Sequence, residues 1–230
     1  MKTVFITGAN RGLGLELAKQ YAQRNYKVIA CCRDIDSAHE LTLLEQQYST
    51  IRPYALDVSN ETDILALTEV FKAQPIDVLI HNAGVSGEGC DNLSNMDQQG
   101  WLDVLKVNTI APMLITQALL NSILVGQDKT IIGMTSILAS IDDNRSGGRY
   151  SYRASKAALN QIIKSLACEL SDSGVKTMAI HPGWVQTDMG GKDGKLTVQA
   201  SVKGMLNVID NLKAKHSGSF FVYDGTQLPW

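Results

Sequence analysis

Short runs of apolar and β-branched residues alternate with longer runs of helical period along this chain. That alternation restricts the fold more than any other feature. Residues 2–7 (KTVFIT) read as a strand and residues 12–24 as a helix, with Leu13, Leu17, Ala18 and Tyr21 recurring at intervals of three and four. Strand 27–32 and helix 37–48 follow, then strand 54–58 with Pro53 at its start. Asn60 and Asp63 form a capping box that opens a helix through Phe71. In the second half, 76–81, 130–134, 175–180 and 219–223 read as strands. Segments 97–124, 152–170 and 197–212 read as helices, the first bent near Pro112. Strands that are apolar on both faces and joined by helices imply a parallel sheet covered on both sides. The expectation is α/β, with residues 1–230 forming a single doubly wound domain around seven parallel strands. No linker composition, low-complexity stretch or repeat divides the chain.

Sheets of this kind bind ligands beyond the carboxyl ends of their strands. The punctuating residues fall there: Gly8, Asp57, Asn82–Gly84, Ser136 and Pro182–Gly183 each follow a strand. Five strand ends therefore point to one crevice.

The first of these ends opens the loop TGANRGLG, Thr7–Gly14. Gly8 suits a tight turn, Gly12 lets the backbone approach a phosphate, and Gly14 permits close helix–strand packing. The helix that follows would face a pyrophosphate with its free N–H groups, the arrangement of a Rossmann dinucleotide site. The spacing is GxxxGxG rather than GxGxxG, and a plain turn is the competing reading. Cofactor choice is written at the end of the second strand, Cys31-Cys32-Arg33-Asp34. Cys32 stands where an acid would hold a ribose 2′-OH, and Arg33 follows it. With Arg11 in the glycine loop, two guanidinium groups favour the 2′-phosphate of NADP(H). The alternative is that Arg33 merely pairs with Asp34 at the surface.

The stretch RYSYRASK, 149–156, carries two tyrosines and a lysine. On a helix Lys156 lies one turn from Tyr152, on nearly the same face, and well rotated from Tyr150. A free phenol has a pKa near 10, and a nearby ammonium favours its ionised form. Tyr152 is therefore the candidate general acid/base. Ser136 is placed to donate a hydrogen bond to a substrate oxygen, and Asn108 to bind a water that links Lys156 to solvent. A YxxxK pair alone is common on helices; the order of all these pieces is what is specific.

Together these residues resemble the short-chain dehydrogenase/reductase family. The matching pieces are the glycine loop, Asp57-Val58, Asn82-Ala83-Gly84, Asn108, Ser136, Tyr152-Arg153-Ala154-Ser155-Lys156 and His181-Pro182-Gly183. HPGWVQTDMGG at 181–191 and the ending DGTQLPW look like its C-factor-like and sniffer-like carbonyl reductase branch. The resemblance implies that Tyr152 exchanges the proton, Ser136 orients the carbonyl, and Lys156 holds the nicotinamide ribose and lowers the tyrosine pKa. Asn108 would complete a proton relay. Gly8, Asn10, Arg11, Gly12, Leu13 and Gly14 would hold the pyrophosphate end. Asp57 and Val58 would border adenine, and Asn82, Ala83 and Gly84 would line the cofactor. Pro182, Gly183, Val185 and Thr187 would contact the nicotinamide end. The chain departs from the family at His81, where asparagine is common. His181 reads as a structural strand-end residue, and the four histidines have no ligand spacing, so no metal is expected.

The implied activity is NADPH-dependent reduction of an aldehyde, ketone or quinone, or the reverse alcohol oxidation. A dinucleotide-binding regulator without turnover, or a signalling module on the same scaffold, is the alternative. A formal net charge of −2 gives no electrostatic reason for a nucleic-acid or anionic membrane partner. No run of about 18 apolar residues suggests a membrane span. The apolar start breaks at Gly8, too early for a signal peptide. Cys31, Cys32, Cys90 and Cys168 lack CxxC spacing and read as reduced thiols of a cytoplasmic protein. Substrate choice would sit in loops 85–95, 137–150 and 184–197, where Leu138, Trp184 and Met189 are pocket candidates. The acidic and basic residues of 137–150, including Arg149, read as solvated surface. The family implies a homodimer or homotetramer formed by the two long helices, with Ile115, Leu119 and Leu159 either on that face or in the core.

Overall fold

The first strand, β1 (Thr3–Thr7), is buried along its whole length, and so are β4 (Val78–His81) and β5 (Thr130–Met134). Strands enclosed on both faces need cover on both faces, and the intervening helices supply it. The computed structural model describes residues 1–72, 74–87 and 92–230; Cys90 and part of loop 85–95 lie outside them. The remaining strands are β2 (Lys27–Cys32), β3 (Ile51–Ala55), β6 (Lys176–His181) and β7 (Ser219–Val222). All pair in parallel in the order β3-β2-β1-β4-β5-β6-β7. The seven-stranded, doubly wound expectation is met. The connection reverses direction between β1 and β4, which makes their carboxyl ends the topological switch point.

Helices α1 (Gly12–Gln23), α2 (His39–Gln47) and α7 (Val198–Asp210) cover one face. Leu17, Tyr21, Met205 and Leu206 pack there with Val4, Ile6 and Ile180. Helices α3 (Glu61–Val70), α5 (Ala111–Leu124) and α6 (Tyr150–Glu169) cover the other, where Phe5, Leu79 and Ile131 meet Leu67, Leu119 and Ile163. Ile115, Leu119 and Leu159 are therefore core residues. The apolar side chains exposed along the long helix are instead Leu102, Ile110 and Met113.

Three local readings are corrected. The third strand is Ile51–Ala55, so Pro53 sits at its centre, paired with Ala30. An edge strand tolerates this, because one side of it carries no partner needing the missing N–H. The capping box is split: Asn60 accepts from the Thr62 N–H at 2.9 Å, but Asp63 turns to the Asp57 N–H at 3.0 Å. The long helix runs from α4 (Gln98–Leu105) through a π-helical turn (Lys106–Ile110) into α5. The irregularity expected at Pro112 is thus realised one turn earlier. By length and a mean hydropathy of 1.3, helix Gln98–Leu124 is apolar enough to cross a membrane, but half of that window is buried in this fold.

His81, the departure from the family pattern, has a defined tautomer. The Thr116 hydroxyl donates to the Pro112 carbonyl at 2.8 Å, so its oxygen accepts from His81 Nε2–H at 2.8 Å. His81 Nδ1 is buried with no partner, and burial pushes the imidazole down to about 3. An unfolded histidine takes its proton below about 6.5, while the folded one resists until far lower. The unfolded state therefore binds more protons between those values, and stability falls as pH falls through the window. At pH 5 this amounts to about 2 kcal/mol. His81→Asn, which can still donate to Thr116, should lose fewer degrees of Tm between pH 7.5 and 5 than the parent. Identical losses in a paired thermal melt would refute the assignment.

Candidate active site

The Tyr152 ring is buried, 8 % exposed, on the second residue of α6 past its start. Tyr150, at the first helical position, is 41 % exposed. One turn of α6 carries both Tyr152 and Lys156 inward, and the Lys156 ammonium lies 5.9 Å from the centre of the phenol ring. Lys156 Nζ donates to the Met134 carbonyl at 2.8 Å, at the end of β5. Burial pushes its pKa down to about 8. Burial also raises the Tyr152 phenol, and the Ser136 hydroxyl and the Arg149 guanidinium oppose that rise. In the free chain desolvation outweighs both, so the phenol lies above its ordinary value, and one Lys156 N–H is held by a backbone carbonyl. Arg149 is exposed, yet its guanidinium stands 5.1 Å from the Tyr152 ring centre. It is a site neighbour that the reading of 137–150 as solvated surface missed.

Ser136, next past β5 after Thr135, accepts from the Leu138 N–H at 3.2 Å and caps a short 3₁₀ turn, Ile137–Ala139. Asn108 lies in the π-helical turn and is fully buried. Its side chain accepts from Val85 N–H at 2.9 Å and donates to Val85 O at 2.9 Å and Ser155 Oγ at 3.0 Å. It staples the post-β4 segment to α6. A π turn advances the backbone by an extra residue, and such turns cluster at functional sites. A Cβ added to Gly84 would stand 3.2 Å from Asn108 Oδ1 and 3.3 Å from Lys156 Nζ. Both polar groups therefore crowd one bare α-carbon at the end of β4.

The glycine loop lies beside this cluster. Gly8 has φ +65°, and a Cβ there would meet the Ala83 α-carbon at 2.9 Å. Gly14 packs against the Gly8 carbonyl, leaving no space for a side chain. Asn82 Nδ2 donates to the Thr7 and Gly8 carbonyls at 2.9 Å each, bolting the loop to β4. Leu13 turns back onto the core. Asn10 is half-buried in the loop. Helix α1 begins after Arg11 with no side-chain cap and no acid in its first turn. Its free N–H groups and dipole suit an anion, so these residues fit a dinucleotide pyrophosphate.

At the end of β2, Cys32 is buried, and burial raises its thiol. It stays neutral at ordinary pH, where a carboxylate would carry charge. Asp34 does not pair with Arg33; its carboxylate accepts from the Asp36 and Ser37 N–H groups. Burial would push the Asp57 carboxyl up, but the Ser59 hydroxyl and N–H outweigh it, with Arg33 and Lys106 adding to their pull. Arg11 forms a 2.7 Å ion pair with Asp188. Both partners are highly exposed, so the pair is weakly held. It joins the glycine loop to the segment after β6. There Thr187 faces Gly12, Val185 is buried and bridged to Leu196, and Gly183 has φ +85°. Pro182 O accepts from Ser201 Oγ at 2.6 Å. Trp184 and Met189 are half-exposed, and Trp184 Nε1 donates to Gly190 O at 2.7 Å. His181 ends β6; burial lowers its pKa to about 4 against the pull of Asp224.

The chain is similar in sequence and fold to known proteins. The chain is 46 % identical over 156 residues to C-signal of Myxococcus xanthus, covering 68 % of this chain and 93 % of that protein. The carbonyl reductase Sniffer of D. melanogaster superposes with a TM-score of 0.92 at 36 % identity, with both chains covered completely. An NADPH-bound carbonyl reductase from chicken fatty liver superposes at 0.92 and 33 % identity, covering 100 % of this chain and 99 % of that one. The short chain dehydrogenase family profile matches residues 2–219, and the chain belongs to that family.

Proposed function

We propose that this chain is a cytoplasmic, NADPH-dependent reductase of an aldehyde, ketone or quinone. The observation that carries the reading is the assembly of Ser136, Tyr152 and Lys156 around one buried phenol at the switch point, beside an uncapped helix N-terminus. NADPH, when bound, supplies the hydride to the carbonyl carbon. The Ser136 hydroxyl donates to the carbonyl oxygen and fixes its position. Tyr152, kept protonated by burial, is in the right state to give that oxygen its proton. Lys156 holds a positive charge below pH 8, close enough to favour the phenolate left behind. Asn108 keeps Val85 and α6 in register around it. Leu102, Ile110 and Met113 form the exposed apolar face on which the chain would pair as a homodimer or homotetramer.

NADP preference rests on Arg33, which forms no ion pair with an acid among the described residues although Asp57 feels its charge, and on the neutral Cys32 beside it. The reading is tested by following NADPH oxidation with a panel of aldehydes, ketones and quinones. Turnover of at least one class is expected. Arg33→Ala should raise the KM for NADPH about tenfold, the size of a lost charge-assisted phosphate contact, and leave that for NADH nearly unchanged. Equal changes for both cofactors would remove the basis for the preference.

A further inference from the structure

We propose that Trp230 is a positioning residue, which holds the loop between Ser136 and Tyr152 and thereby sets the Ser136 hydroxyl; the second half of this statement rests on the reductase reading above. The loop leaves β5 at Ser136, turns through Ile137–Ala139 and enters α6 at Tyr150. Beyond that 3₁₀ turn, residues 140–149 have no regular structure with which to hold themselves. One oxygen outside the loop supplies what they lack. The Trp230 carbonyl accepts from Ser140 Oγ at 3.2 Å, Ile141 N–H at 3.1 Å and Asp142 N–H at 3.3 Å. Ser140 Oγ in turn accepts from Asp143 N–H at 3.2 Å.

The oxygen is itself anchored. After β7 the chain folds back on that strand: Val222 N–H donates to Thr226 O and Leu228 N–H to Phe220 O, each at 2.8 Å, and Phe221 bridges Gln227. The Trp230 ring then stacks on Phe220, centroids 5.8 Å apart and planes 22° from parallel. Phe220 is fully buried in the core. A continuous path thus runs from core ring to indole, to carbonyl, to the 140–142 turn, and from Ser140 back four residues to Ser136. The loop is also tied to α6 at two points, Leu138, two residues past Ser136, and Ser146, nearer Tyr150. Arg153 donates to Leu138 O at 3.3 Å and to Ser146 Oγ at 2.9 Å. A hydrogen-bond donor misplaced by about 1 Å can cost a hundredfold in rate, so a pin at this distance bears on the chemistry without touching it.

The test uses Trp230→Ala in the whole chain. The indole is 41 % exposed, so its loss should leave the fold intact. The amides of Ile141 and Asp142 should exchange with solvent at least tenfold faster, whereas those of Ile131 and Ile132 in β5 should not change. The kcat for carbonyl reduction should fall about tenfold, with the dissociation constant for NADPH, read from its own emission, within twofold. Trp230→Phe, which still stacks, should restore both. Unchanged exchange at Ile141 and Asp142 overturns the pin. Faster exchange with unchanged kcat overturns its link to Ser136. The exchange measurement needs no substrate. A parent chain that reduces nothing in the panel therefore defeats the reductase reading and leaves the pin to be judged by exchange alone.

Discussion

Tyr152→Phe should lower kcat for carbonyl reduction about a thousandfold while NADPH binds within threefold of the parent affinity. That loss corresponds to about 4 kcal/mol of activation free energy. It is the expected result because, in the proposed reaction, the phenol is the proton source that burial keeps in its acid form, and phenylalanine keeps the ring and loses only the hydroxyl. The ring packs under Arg149, so the substitution preserves shape and the cation contact. Tyr150→Phe is the control. Its side chain is substantially exposed at the first helical position, and its loss should change kcat less than twofold. Steady-state rates and NADPH titration on the two variants decide between the tyrosines. Wild-type turnover in Tyr152→Phe would falsify the assignment of the proton donor.

The sheet was legible because strand and helix differ in period, and because Gly8, Gly12 and Gly14 punctuate the first crossover. The shared inward face of Tyr152 and Lys156 was legible because four residues on a helix make nearly one turn. Neither inference needs knowledge of what packs from far away. The misreadings share the opposite property. Pro53 was placed at a strand start because a proline in a strand interior costs a ladder bond; only the sheet order reveals that its strand is at the edge. The bond of Lys156 to Met134 O, twenty-two residues away in sequence, was likewise not foreseen. The π-helical turn at Lys106–Ile110 leaves no mark in hydrophobic period, although it carries Asn108 into the core. The pairing of Arg11 with Asp188, 177 residues on, was not visible either. Desolvation and long-range partners thus account for what sequence spacing did not show.

Desolvation also sets the second large effect, at Lys156. Burial lowers its pKa from the ordinary lysine value to about 8, so the ammonium is complete below that pH and lost above it. The quotient kcat/KM for NADPH reports the ionisations of the free enzyme. It should therefore be level to about pH 8 and decline beyond. Lys156→Met removes the charge and keeps most of the volume. Its kcat/KM should be lower by a factor on the order of a hundred to a thousand at pH 7, and the decline above pH 8 should vanish. Stability moves in the other direction. An unfolded lysine keeps its proton to about 10.5, so between 8 and that value the unfolded state binds more protons and the folded state gains as pH rises. The parent chain should thus lose activity over the same interval in which this group adds to its stability. Rate profiles and denaturation midpoints from pH 7 to 10 measure both slopes. A kcat/KM for NADPH that stays level to pH 9.5 in the parent would show that the buried ammonium is not the group on which the site depends.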